Sequence, residues 1–178
     1  MSDDAFGAIM SSLNAQLIVV TTAEDQERAG CLVGFHTQSS IGPARYCVWL
    51  SKANHTYRVA LRSTHLAIHF LTSLDLSLAE LFGTQTGDRI DKFAGLPVSP
   101  GPGGAPVLRQ CPNWLAARRI ALLDEGGDHV CVITEPVAVH TGGPFEPLRL
   151  SQASHLTPGH DSEERHGPPT ERAAPEPD

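Results

Sequence analysis

The stretch from Arg28 to Tyr57 limits what this chain can fold into more than any other. Cys31-Leu32-Val33-Gly34-Phe35 is apolar enough for a buried strand, yet it runs straight into His36-Thr37-Gln38-Ser39-Ser40, a row of polar side chains. A buried strand that ends in so many hydrogen-bonding groups must supply them with partners, because an unpaired polar group out of water costs about 1–3 kcal/mol. Tyr46-Cys47-Val48-Trp49-Leu50 is a second β-type run, and it delivers Lys52, Asn54 and Thr56 where a helix can begin. The pattern reads as strand, polar loop, strand and helix start. Pro43 marks a bend between the strands, since it brings no N–H to a ladder. Two polar clusters on neighbouring strand ends make a cradle for an anionic, hydrogen-bonding ligand.

The rest of the chain supplies a small sheet around that stretch. Phe6, Ile9, Met10 and Leu13 stand at helical spacing behind Ser2 or Asp3 as N-cap, and Leu17 to Thr22 is a continuous β-branched run followed by a polar turn at Glu24 to Arg28. Strand Ala29–Phe35 follows. Asn54 caps a short helix through Leu61, Leu66 to Leu71 reads as a strand, and Leu74, Leu78, Leu81 and Phe82 return to helical spacing up to Gly83. Residues 87–106 are rich in Gly and Pro and read as a long irregular excursion with a short helix at Ile90 to Phe93. Trp114–Leu123 and His129–His140 flank the glycine-containing turn Asp124 to Asp128 and are expected as adjacent antiparallel strands, with Pro147 to Leu150 as a final edge strand. The predicted fold is mainly β with short helices: a six- to seven-stranded antiparallel split β-barrel over residues 1–150, with residues 151–178 as a disordered acidic tail containing Pro and His.

Composition narrows the function classes. The net charge of −7 and the absence of any dense basic run leave no field for a nucleic-acid backbone. No apolar run approaches the ~20 residues that span a bilayer, and no basic segment with an apolar signal core opens the chain, so a soluble, cytoplasmic protein is expected. Cys31, Cys47, Cys111 and Cys131 form no CxxC pair and read as reduced, mostly buried thiols. His65 and His69 would suit a metal only on a helix; on a strand that spacing spans more than about 10 Å, so no metal site is expected.

Several segments in one order resemble the flavin reductase-like, FMN-binding split-barrel family over roughly residues 5–150. They are Gly30 through Pro43, Leu50-Ser51-Lys52-Ala53-Asn54-His55-Thr56-Tyr57, Leu78-Ala79-Glu80-Leu81-Phe82-Gly83, Asp91-Lys92-Phe93, Ala105-Pro106-Val107-Leu108 and Gly127-Asp128-His129. The sequence departs from the family at Gly34 and Phe35, where small hydroxyl residues are usual, and at Ala44-Arg45, where a second proline is usual. The resemblance implies FMN as cofactor, with FAD, deazaflavin F420 and haem as alternatives on similar barrels. It further implies NADH or NADPH as electron donor, a homodimer with the pocket at its interface, and an electron acceptor such as a partner monooxygenase.

Matched to that family, the residues divide by role. Thr37, Gln38, Ser39 and Ser40 offer hydroxyl, amide and backbone donors, Lys52 a point charge, and Asn54 and Thr56 hydrogen bonds at a helix start, all suited to a flavin phosphate and polyol. His36 stands where it can stack on or donate to the ring. His129 is the candidate to stabilise negative charge on the reduced ring, with Asp128 fixing its tautomer. The bland readings are an ordinary turn for the Ser/Thr cluster, a solvated Lys52 and structural histidines. The expected function is an NAD(P)H-dependent flavin reductase-like oxidoreductase; the alternatives are a non-catalytic flavin- or haem-binding protein and an F420-dependent reductase.

Overall fold

A computed structural model describes residues 3–159. Its sheet is laid around β1 (Ile18–Glu24), which pairs antiparallel with β2 (Glu27–Val33) on one side and β5 (His65–Phe70) on the other. Both faces of β1 are covered. Ile18 and Val20 point into one core with Val48, Leu50, Leu66, Ile68 and Val132, while Leu17 and Val19 join a second core with Leu78, Phe82, Phe93, Leu108 and Leu148. A strand buried on both faces has no polar alternation, and this is why Leu17 to Val20 reads as an unbroken apolar run. The β1–β2 hairpin closes through Asp25 and Gln26, both at positive φ, the geometry that a two-residue hairpin turn demands.

Six further strands complete the main sheet or flank it. β3 (His36–Ser40), β4 (Arg45–Ser51), β8 (Trp114–Leu123) and β9 (His129–His140) extend it in the order β2-β1-β5-β8-β9-β4-β3, all antiparallel. β6 (Val98–Pro100) and β7 (Pro106–Leu108) form a separate two-stranded ribbon. The seven strands curl into an antiparallel half-barrel, as expected, and β2 and β4 face each other across an unpaired gap. Where β2 runs on into β3, Trp49 N–H donates to Phe35 O at 2.9 Å, one step beyond the β3–β4 pairing of His36 with Val48. Helix α2 (His55–Ala60) starts where predicted, with Asn54 Oδ1 accepting the Thr56 N–H at 3.0 Å. α3 (Leu76–Thr84) lies on the outer face and buries Leu78, Ala79 and Phe82. All four cysteines are buried and free.

Four expectations require correction. His36–Ser40 is a strand rather than a loop; it reads as polar because it is the sheet's edge, where side chains on both faces meet water. Pro147–Leu150 makes only isolated bridges, Thr72 to Pro147 and Gln16 to Arg149, and Leu148 instead is a buried wedge bonded to Leu71 and Leu17. The excursion contains the β6–β7 ribbon, and its anticipated helix at 90–93 is a turn in which Asp91 Oδ1 accepts the Phe93 N–H. The expected tail begins ordered: Leu150–Ala153 is a 3₁₀ turn, Ala153 is buried, Leu156 packs on the outer core, and Gly159 N–H donates to Gly83 O at 3.1 Å. Residues 160–178, the remainder of that expectation, lie outside the described residues.

α1 (Asp3–Leu13) bears the predicted helical spacing, but Phe6, Ile9, Met10 and Leu13 are all exposed. Among the described residues, no helix is long and apolar enough to cross a membrane.

Candidate functional site

The gap between β2 and β4 holds a cavity of about 520 Å³, inside the range of small-molecule and cofactor sites. Its walls are apolar: Cys31, Leu32 and Val33 from β2, Trp49 and Leu50 from β4, Phe82 from α3, and Leu150 and Pro158 from the C-terminal segment. Phe82 is seated there because Gly30 leaves room for it; a Cβ on Gly30 would stand 2.7 Å from the Phe82 ring. The polar groups gather around Ser51, Asn54, Gln85, His129 and Thr157. Among the described residues, no lysine, arginine, aspartate or glutamate lines the cavity.

Two of these side chains keep hydrogen-bonding capacity unused. Among the described residues, Ser51 Oγ is buried and has no hydrogen-bond partner. Asn54 spends Oδ1 on the α2 cap, so its amide N–H groups remain available. A buried hydroxyl and a primary amide left unpaired beside an apolar slot fit a flat heterocycle whose edge carries donors and acceptors. Thr56 Oγ1 is a second buried orphan, beneath the α2 start and beside the Cys31 thiol; burial pushes that thiol's pKa up, and Thr56 and Lys92 partly offset it.

His129 lines the mouth. Its Nδ1–H donates to Asp128 Oδ1 at 2.8 Å, the pairing expected, and its ring meets Phe35 edge-on at 5.2 Å between centroids. With the Nδ1 proton so fixed, Nε2 accepts when the ring is neutral and donates when it is protonated. Phe35 is 61% exposed and stands at this mouth, at one of the positions where the sequence departs from the family pattern.

The remaining sequence candidates lie elsewhere. His36 is spent on structure: Nε2–H donates to Gln16 O at 3.1 Å, and Nδ1 accepts from the Tyr46 hydroxyl at 2.6 Å. Burial lowers its pKa, which keeps it in that neutral form. Thr37, Gln38 and Ser39 are exposed on the edge strand and Ser40 is half-buried beside them; none lines the cavity. Lys52 stands next to Ser51, but its ammonium is bonded to Asp124 at 2.8 Å, which holds that carboxyl below its usual pKa together with the Gly126 N–H. Of the ten candidates, the structure brings Asn54 and His129 into the wall, with Asp128 directly behind His129.

Ser51, Trp49, Gln85 and the C-terminal wall were not legible as site residues. Ser51 ends a strand whose burial pattern is apolar, and Leu150 and Pro158 sit in a segment that reads as tail. Only the approach of two strands from opposite sheet edges unites them. Among the described residues, no group of three or more His, Cys, Asp or Glu side chains is placed to hold a metal ion.

Residues 10–156 match the family model of the flavin reductase like domain. Among solved structures, an FMN-binding protein from Thermus thermophilus shares 20% identity at a TM-score of 0.66, over 71% of this chain and 70% of that one. A Streptomyces globisporus protein named as an NADH:FAD oxidoreductase shares 18% identity at a TM-score of 0.68, over 83% of this chain and 95% of that one. A longer Sinorhizobium meliloti protein shares 20% identity at a TM-score of 0.72; 84% of this chain is matched, spanning 50% of that one. At these identities the likeness establishes the fold, the FMN-binding split barrel.

Proposed function

The chain belongs to the flavin reductase like domain family, and from that premise we propose that it holds FMN in the cavity between β2 and β4. In this reading it uses the flavin to accept hydride from NADH or NADPH and to pass electrons to an acceptor such as a partner monooxygenase. The observation that carries the reading is the Ser51 hydroxyl, without a hydrogen-bond partner among the described residues, set beside the Asn54 amide in a mainly apolar slot.

Bound flavin would supply the two-electron chemistry; the chain's own residues supply place and environment. Leu32, Val33, Trp49 and Phe82 exclude water from the ring's faces. Ser51 and Asn54 orient its polar edge. His129 in its protonated form offers Nε2–H at the mouth, held in direction by Asp128, where negative charge on the ring needs a donor. In this reading the phosphate would lie outside the slot, near Lys52, whose ammonium now holds Asp124. Thr56 serves by building the α2 start, with its backbone N–H capped by Asn54.

A spectrum of the purified protein tests this. Bound oxidised flavin that bleaches anaerobically with NADH or NADPH is the expected result. Flavin that binds but is not reduced would support a binding protein instead, and a Soret band without flavin would replace the cofactor assignment with haem.

A further inference from the structure

Behind the Phe82 wall lies a buried cation. Lys92 is 5% exposed. Its ammonium donates to Gly30 O at 3.1 Å and Phe82 O at 3.0 Å, and stands 5.7 Å from the centre of the Phe82 ring. Among the described residues no carboxylate pairs with it: the neighbouring Asp91 is bonded to Arg28. Burying a cation without a counter-charge is costly, and two carbonyl oxygens repay only part of that cost. The partners are placed tellingly, since Phe82 lines the cavity and Gly30 precedes Cys31, which also lines it. Among the described residues, no carboxylate in the wall cancels the field; Asp128, behind the mouth, is bonded to His129.

We infer that Lys92 is a positioning residue for charge in the cavity, its ammonium acting through the Phe82 wall to favour the reduced over the oxidised flavin. The inference rests on the flavin reading given above. Hydride transfer from a dihydronicotinamide moves two electrons and one proton to the ring and releases the oxidised nicotinamide, so the ring gains one negative charge. A fixed positive charge across a low-dielectric wall stabilises that product more than the starting state. Burial draws the Lys92 pKa down and the Cys31 thiol nearby opposes that shift, while the two carbonyl oxygens accept from the protonated ammonium.

The test is the midpoint potential of the bound flavin, measured in the whole protein by anaerobic spectroelectrochemistry with free FMN as reference. Wild type is expected to bind reduced FMN more tightly than oxidised, and so to raise the potential above that of free FMN. Lys92→Gln keeps an amide donor but no charge; it should lower the ratio of reduced to oxidised affinity by roughly tenfold, while Lys92→Arg retains most of it. A merely structural brace would change melting temperature without moving the potential. A wild-type potential at or below that of free FMN overturns the inference even if no variant folds, and so does an unchanged ratio in Lys92→Gln. Failure of wild type to bind FMN at all would instead remove the flavin reading beneath it.

Discussion

His69 is fully buried and bonded on both sides: Nδ1–H donates to Val19 O at 3.1 Å and Nε2 accepts the Leu108 N–H at 3.0 Å. A proton on Nε2 would break the second bond and bury a charge. Burial accordingly pulls the pKa from 6.5 to about 4. Between these values the unfolded chain binds a proton that the folded chain refuses, so stability rises with pH across that window. Acidifying from pH 7 to pH 4 is expected to cost about 3 kcal/mol from this residue alone. Urea melts should follow that slope, and the His69 imidazole resonances should stay flat above pH 5. The residue scale is also where sequence reading succeeds and fails most sharply. Asn54 was legible as a cap because capping is local chemistry, and His129 with Asp128 because neighbours in sequence are neighbours in space. His36 was not, because its two partners, Gln16 and Tyr46, come from other segments and consume both ring nitrogens.

Elements behave in the same way. β1, β8, β9 and the α2 start follow from runs of residues whose period matches their burial. β3 escapes, since an edge strand with polar side chains on both faces carries no periodic signal. The segment after Arg149 escapes because it holds only scattered apolar residues, yet Ala153 and Leu156 pack on the outer core and Leu150, Thr157 and Pro158 wall the cavity. A chain ending at Gly159 is expected to melt with the full-length protein. One ending at Arg149 should lose about 1–3 kcal/mol, the order of one to two buried apolar side chains, and should bind flavin more weakly. Equal melting temperatures for the two truncations, read by calorimetry, would show that the segment contributes nothing.

At the scale of the whole molecule, α1 leaves its apolar side chains uncovered by the described residues. An isolated helix shorter than about 12–15 residues is marginal in water, and this one exposes Phe6, Ile9, Met10 and Leu13. A second copy of the chain, as the family resemblance implies, would cover that face. Sedimentation is expected to give a dimer for wild type and a smaller species for Ile9→Glu; a wild-type monomer would count against it. The half-barrel itself was legible from the count and period of its strands, whereas the cavity was not, because its walls are strands that the sequence places side by side and the sheet places near opposite edges.

That placement has a consequence for when the site comes into being. β2 stands at one edge of the sheet and β4 next to the other, so the cavity between them exists only once the sheet has curled, and its remaining wall comes from residues beyond β9. The site is therefore a property of the curled sheet and not of any one segment. Loading belongs to the finished molecule, and a bound ligand would act as a clasp on the native state, slowing its opening rather than guiding its assembly.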